Sequence, residues 1–121
     1  MTHSITWENK GVYRQFKGLV SGEEILESNF ALQADARFTG IDYIINDFTD
    51  VTEHTITITD TNAYAVTDEI AANKKPNIKI AIVVTKKDLF DLADTYCDLM
   101  KAMKFDTKIF KTIEQARRWI S

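Results

Sequence analysis

Ile78-Lys79-Ile80-Ala81-Ile82-Val83-Val84 is a near-continuous apolar run, and Thr85-Lys86-Lys87-Asp88 follows it at once. A β-branched run of this kind suits a parallel strand covered on both faces. Beyond it, Leu89, Leu92, Ala93, Tyr96, Leu99, Met100 and Met103 recur at helical spacing, which predicts a helix over 87–103 opened by the Thr85 to Asp88 segment. A buried strand feeding a helix is half of a β-α-β unit, and the rest of the chain is read outward from it.

Upstream, Tyr43-Ile44-Ile45-Asn46-Asp47-Phe48 follows Gly40 and reads as a second buried strand that turns polar at its C-terminal end. From Thr49 to Thr59 the pattern is double: His54 to Thr59 alternates like a strand but also suits an irregular lead-in to a helix over 60–74. The lead-in is favoured, because a parallel neighbour needs a crossover. Ser21-Gly22-Glu23-Glu24 is a capping-box pattern and predicts a helix over 22–34, ending before the Asp35-Ala36-Arg37 turn. Ile5 to Glu8 and Val12 to Gly18 flank Asn9-Lys10-Gly11, a tight-turn sequence, and predict an antiparallel hairpin. Downstream, Thr107 to Phe110 reads as a short strand. Thr112-Ile113-Glu114-Gln115 is a second capping box and opens a helix that holds Ala116, Trp119 and Ile120. The order is β-β-α-β-α-β-α-β-α: an α/β layer fold with a mixed sheet, parallel after the hairpin.

The chain has 121 residues, 45% of them hydrophobic and 27% charged, which makes a single domain over 1–121. A net charge of −3 argues against non-specific nucleic-acid binding, which needs a basic face. Cys97 is the single cysteine, so neither an intramolecular disulfide nor a multi-cysteine metal site is available. No stretch has the make-up of a signal peptide or the ~20 apolar residues of an integral membrane segment. A cytoplasmic protein without cofactor is the expectation.

Gly11 to Gly18, Ser21 to Leu26, Tyr43 to Phe48, Asn77 to Val83 and Ile109 to Ala116 carry a family likeness in their order and spacing. On these stretches the chain resembles the SpoIIAA-like, or STAS-like, domains, bacterial relatives of the anti-sigma-factor antagonists. The resemblance covers nearly the whole chain and is strongest to the small stand-alone members. It implies a five-stranded sheet with packed helices, and a regulatory or protein-interaction domain rather than an enzyme. In the antagonist branch, a Ser or Thr at the start of the helix after the third strand is phosphorylated by a partner kinase. The stretch here is Thr57-Ile58-Thr59-Asp60-Thr61-Asn62. Thr59 and Thr61 have the right chemistry, but the Asp-Ser-Ser-Gly-like signature is absent, and both serve equally as helix caps. The lipid-binding CRAL-TRIO fold is a more distant analogue, and the sequence carries no lipid-cavity signature.

Open parallel sheets take ligands beyond the C-terminal ends of their strands. Asp47, Asp50, Glu53 and His54 follow the third strand, and Thr85, Lys86 and Lys87 follow the fourth. Asp47, Asp50, Thr85, Lys86 and Lys87 are therefore the candidate ligand-binding residues, for a phosphate, nucleotide, lipid or other anion. The alternative reading is a solvated acidic loop and a plain helix cap. The spacing matches no metal motif. No nucleophile, base and oxyanion donor can be named together, so no catalytic residue is assigned. Cys97 sits between Asp94 and Asp98, which raise a thiol pKa, and reads as inert. His3 falls near a terminus. Trp7 and Trp119 read as core, rim or subunit contacts. Phe90, off the main stripe and near Cys97 on the helical wheel, would mark a homodimer patch if both are exposed.

Overall fold

In a computed structural model, which describes residues 3–121, the chain forms one five-stranded sheet in the order β1-β2-β3-β4-β5. The strands are β1 (His3–Trp7), β2 (Gly11–Val20), β3 (Tyr43–His54), β4 (Lys79–Val83) and β5 (Asp106–Phe110). The helices are α1 (Gly22–Ala34), α2 (Ile58–Lys74), α3 (Lys87–Met100) and α4 (Ile113–Ile120), with a short 3-10 turn at Ala36–Gly40. β1 and β2 pair antiparallel, and every later pairing is parallel. No helix among the described residues is long and apolar enough to cross a membrane.

The helices divide unequally between the two faces. Side chains alternate along a strand, so Ile44, Ile80 and Ile82 face one way and Ile45, Ala81 and Val83 the other. The first set packs with Val12, Phe16, Ile25, Leu32, Tyr64, Leu89, Tyr96 and Met100, which puts α1, α2 and α3 on that face. The second set meets Ala116 of α4, with Ile113, Trp119 and Ile120 around it.

The helix starts obey the capping rules. Ser21 Oγ accepts from Glu24 N (3.0 Å), and Thr112 Oγ1 accepts from Gln115 N (3.2 Å). At α2, Thr57 and Asp60 form a full reciprocal box. Thr57 is thus the cap, not Thr59 or Thr61. Thr85 is not a cap either: α3 opens at Lys86 with no side-chain cap bond.

Three further expectations are corrected. The irregular lead-in shrinks to residues 55–57, because β3 runs on to His54 beside a β2 that continues to Val20. This long pairing absorbs register shifts between Gln15 and Lys17 and between Gly18 and Leu19. Gly18 sits at φ +69°, a conformation costly for any residue with a Cβ. Helix α3 stops at Met100, not Met103, because Lys101 N and Met103 N bond back three residues, to Asp98 O (3.4 Å) and Met100 O (2.9 Å). Phe90 is exposed, but Cys97 is half-buried against the main core, so the two do not form one exposed patch. Burial raises the Cys97 pKa, and Asp94 and Asp98 push it further the same way.

Candidate functional site

Helical and strand periods place a polar row inside the larger core. Val12, Arg14 and Phe16 share a face of β2, so Arg14 points under the helices between two core residues. Across the parallel register Arg14 pairs with Asn46, and Asn46 with Ile82. Above this row α1 contributes Ser28 and Asn29, α2 contributes Tyr64 and Asp68, and α3 contributes Tyr96.

These groups enclose a cavity of about 70 Å³. Its floor is Arg14, Asn46 and Ile82, and its walls include Ile25, Tyr64, Asp68, Leu89 and Tyr96. Phe48, Ile56, Leu92 and Ala93 also line it and are only half-buried, so they mark the mouth. Asn46 lies on an inner strand beneath helices and is nevertheless not fully buried, as expected if solvent reaches it through that mouth. At one end, His54 Nε2 donates to Asp88 Oδ2 (2.7 Å) while its Nδ1 accepts from Ile56 N (3.1 Å). This ties residues 54–56 to the start of α3.

Arg14 is 3% exposed, yet no carboxylate among the described residues stands within ion-pair distance of it. Its hydrogen-bond partners are neutral. Nε donates to Asn46 Oδ1 (2.9 Å), and Nη1 donates to Ser28 Oγ (3.0 Å) and Asn29 Oδ1 (2.8 Å). Burial lowers the guanidinium pKa to about 10, against the attraction of Asp68, so it keeps its charge at neutral pH. Nη2 has no acceptor among the described residues. The amide groups of Asn29 and Asn46 turn their oxygens to Arg14, which leaves their NH2 groups as further donors without acceptors. Among the described residues no sealed side-chain nitrogen lacks a partner, so these donors meet open space, and the space that all three residues line is the cavity.

Asp68 is the acidic member of the wall. Its oxygens accept from Gln33 Nε2 (2.8 Å) and Tyr96 Oη (2.5 Å). Burial raises its pKa to about 6, and the Tyr96 bond, the Arg14 charge and the Gln33 bond oppose the rise. Burial also holds the Tyr96 phenol well above its ordinary value.

The residues singled out from sequence lie elsewhere. Asp47 faces α4 rather than the cavity. It is 2% exposed and accepts from Tyr13 Oη (2.5 Å), Thr49 N (2.9 Å) and Thr49 Oγ1 (2.7 Å). Asp50 takes an exposed bond from Gln15 Nε2 (2.8 Å). Thr85, Lys86 and Lys87 are exposed, and Lys87 Nζ pairs with Asp91 Oδ1 (2.8 Å). No hydrogen bond or ion pair joins these five into one site among the described residues. Nor does any group of three His, Cys, Asp or Glu among them stand ready to hold a metal. Thr61 is 2% exposed and donates to Thr57 O (3.0 Å), so its hydroxyl is closed to an enzyme in this fold. Thr59 is exposed in the first turn of α2. Trp7 and Trp119 sit at the rims of the two cores, Trp7 beneath the Arg37 guanidinium (4.2 Å).

Comparison with known proteins adds the fold. An uncharacterised protein of the DUF3478 family from Shewanella loihica PV-4, with a SpoIIAA-like fold, superposes with a TM-score of 0.62. The match covers 98% of this chain and 93% of that one at 14% identity. The fold of this chain is SpoIIAA-like, as the sequence resemblance implied. No protein-family model matches the chain, and no curated protein matches it either.

Proposed function

We propose that this SpoIIAA-like domain is a non-enzymatic binding domain that holds a small ligand in the cavity between the sheet and α1 to α3. The single observation behind this reading is the polar floor, Arg14 and Asn46, in a solvent-reached cavity whose walls are mainly apolar and carry only Asn29, Thr61, Asp68 and two tyrosine hydroxyls as further polar groups. A few fixed polar groups in an apolar hollow are what a small-molecule site requires. On β4 the lining residues Ile82 and Val84 stand at the C-terminal end of the strand, where open α/β sheets take ligands. The test is an amide NMR titration of the full chain with four small probes: 1-butanol, butyramide, n-butylamine and butyrate. Shifts at Asn29, Asn46, Asp68 and Ala93 with at least one probe are expected. Silence at all four positions with every probe removes the reading.

A regulatory, protein-docking role is a second reading, favoured by one observation. Ile58, Val66 and Ile70 stand exposed on the outer side of α2, while Thr61, Tyr64 and Asp68 of the same helix line the cavity. A ligand held inside would then bear on a surface outside. The paired substitution Val66→Glu and Ile70→Glu should cost the domain a protein that the wild type retains in parallel captures; identical captures count against this role.

A further inference from the structure

The cavity carries more hydrogen-bond donors than it has acceptors to meet them, and the surplus defines what it holds. Arg14 Nη2 and the amide NH2 groups of Asn29 and Asn46 have no acceptor among the described residues. A buried guanidinium whose hydrogen-bond partners are all neutral, with the Asp68 carboxylate acting on it only beyond ion-pair distance, has recovered only part of the solvation lost on burial. A ligand that brings acceptor oxygens and one negative charge satisfies both deficits, with charge-assisted bonds.

We propose that the cavity ligand is a short-chain monocarboxylate, its oxygens bound by Arg14 Nη2 and the Asn29 and Asn46 amides, its alkyl tail against Ile56, Leu92 and Ala93. The assignment rests on the reading of the cavity as a ligand pocket and adds the class of ligand to it. Size selects within the class. An apolar cavity of about 150 Å³ takes benzene, and this one is about 70 Å³. A carboxylate with one to three further carbons fits, with a longer tail leaving through the apolar mouth. Charge selects as well. A phosphate dianion would bring twice the negative charge of a carboxylate toward Asp68 on the wall, and a third oxygen for which the mainly apolar lining offers no further donor. An ammonium would face Arg14. Asp68 is already bound by Gln33 and Tyr96, which leaves Arg14 as the group with bonds to give.

The experiment is an NMR titration of the full chain in a buffer free of carboxylate and phosphate, with acetate, propionate, butyrate, 1-butanol, n-butylamine and inorganic phosphate. Butyrate is expected to bind about 10- to 100-fold more tightly than 1-butanol, the ratio set by a hydrogen bond to a charged group. Affinity should rise about fourfold per methylene from acetate to butyrate. Arg14→Gln should erase the preference for butyrate over 1-butanol. Since that variant can fail to fold, Asn46→Asp is the second arm: it places a carboxylate beside the guanidinium within the protein. It should weaken butyrate at least about tenfold while the fold, read by circular dichroism, persists. Equal binding of butyrate and 1-butanol at the cavity amides overturns the carboxylate assignment and leaves the pocket standing. Tighter binding of phosphate or butylamine overturns it too. Butyrate binding that survives Asn46→Asp unchanged sinks the role given to Arg14. No probe moving the cavity amides sinks both the assignment and the pocket.

Discussion

Asn46 and Asp47 are neighbours on β3 and point to opposite faces of the sheet, and the two faces treat polar groups in opposite ways. Toward α4, polarity closes on itself. Asp47 accepts from Tyr13 and twice from Thr49, and Glu8 accepts from Tyr43 and from both terminal nitrogens of Arg117. Toward α1, α2 and α3, polarity stays open: Arg14 uses Nε and Nη1 on neutral oxygens and keeps Nη2 free. The α4 face has a small apolar core of Ile45, Ala81, Val83 and Ala116, so side-chain ties must help hold it. The other face buries a far larger apolar set and can support an unfinished polar centre. A network whose donors and acceptors match is closed, whereas the proposed function rests on the surplus of the open one.

The hardest blow to that contrast is Asp47→Ala. It removes the acceptor of three hydrogen bonds at a 2% exposed position and strands the Tyr13 and Thr49 donors. We expect a loss of about 3–5 kcal/mol in urea denaturation, in the range for breaking a buried charged network. Butyrate affinity, measured on the folded fraction, should not move. A variant as stable as wild type would mean that the closed network holds nothing.

Asp68→Asn is next in size, and its effect is a slope. The Asp68 pKa, raised by burial to about 6, lies above the ordinary 3.8. Between these values the folded state binds more protons than the unfolded one, so this group's contribution is best at low pH and is lost as pH rises through about 6. The loss amounts to about 3 kcal/mol. The stability of the wild type minus that of Asp68→Asn, taken from urea curves at pH 4 to 7, should therefore fall with pH. A flat difference would place Asp68 in water rather than on a cavity wall.

The contrast also explains what could be read from the sequence. The element order, the hairpin, the parallel strands and the capped starts of α1 and α4 follow from local periodicity and capping chemistry, and all of them stand. The extension of β3 to His54 did not follow, because it depends on pairing with a bulged β2 and not on the residues between Thr49 and His54 alone. The cavity was missed by one residue of parity. The rule that ligands gather at C-terminal strand ends led to Asp47, whose side chain faces α4 and not the cavity. A signal was present in Val12-Tyr13-Arg14-Gln15-Phe16, where strand alternation puts Arg14 between two core residues. Asp68 and Tyr96 lie on different helices, and only tertiary packing brings them together. Their pairing has no local trace.

Glu8→Gln tests the weakest tie of the closed face and should cost about 1 kcal/mol or less. The Arg117 pair is good in geometry, with Nη1 and Nη2 at 2.6 and 2.8 Å from the two carboxylate oxygens, but the Arg117 side chain is 40% exposed. Water and salt screen a pair placed there, so its worth approaches that of a surface bridge. The hairpin turn does not depend on the carboxylate, because Glu8 N donates to Gly11 O (2.8 Å) through the backbone. What distinguishes this variant is the sign of its pH dependence. The Arg117 bond holds the Glu8 pKa below its ordinary 4.5 against a smaller opposing effect of burial, with further help from Tyr43. Its contribution is therefore present above pH 4.5 and is lost as pH falls through the folded value. Urea midpoints of wild type and Glu8→Gln should converge on acidification, whereas Asp68→Asn becomes relatively poorer over the same change. Added salt at neutral pH should also bring Glu8→Gln and wild type together. If both variants shift the pH profile in the same direction, the two faces do not differ in the way their polar networks indicate.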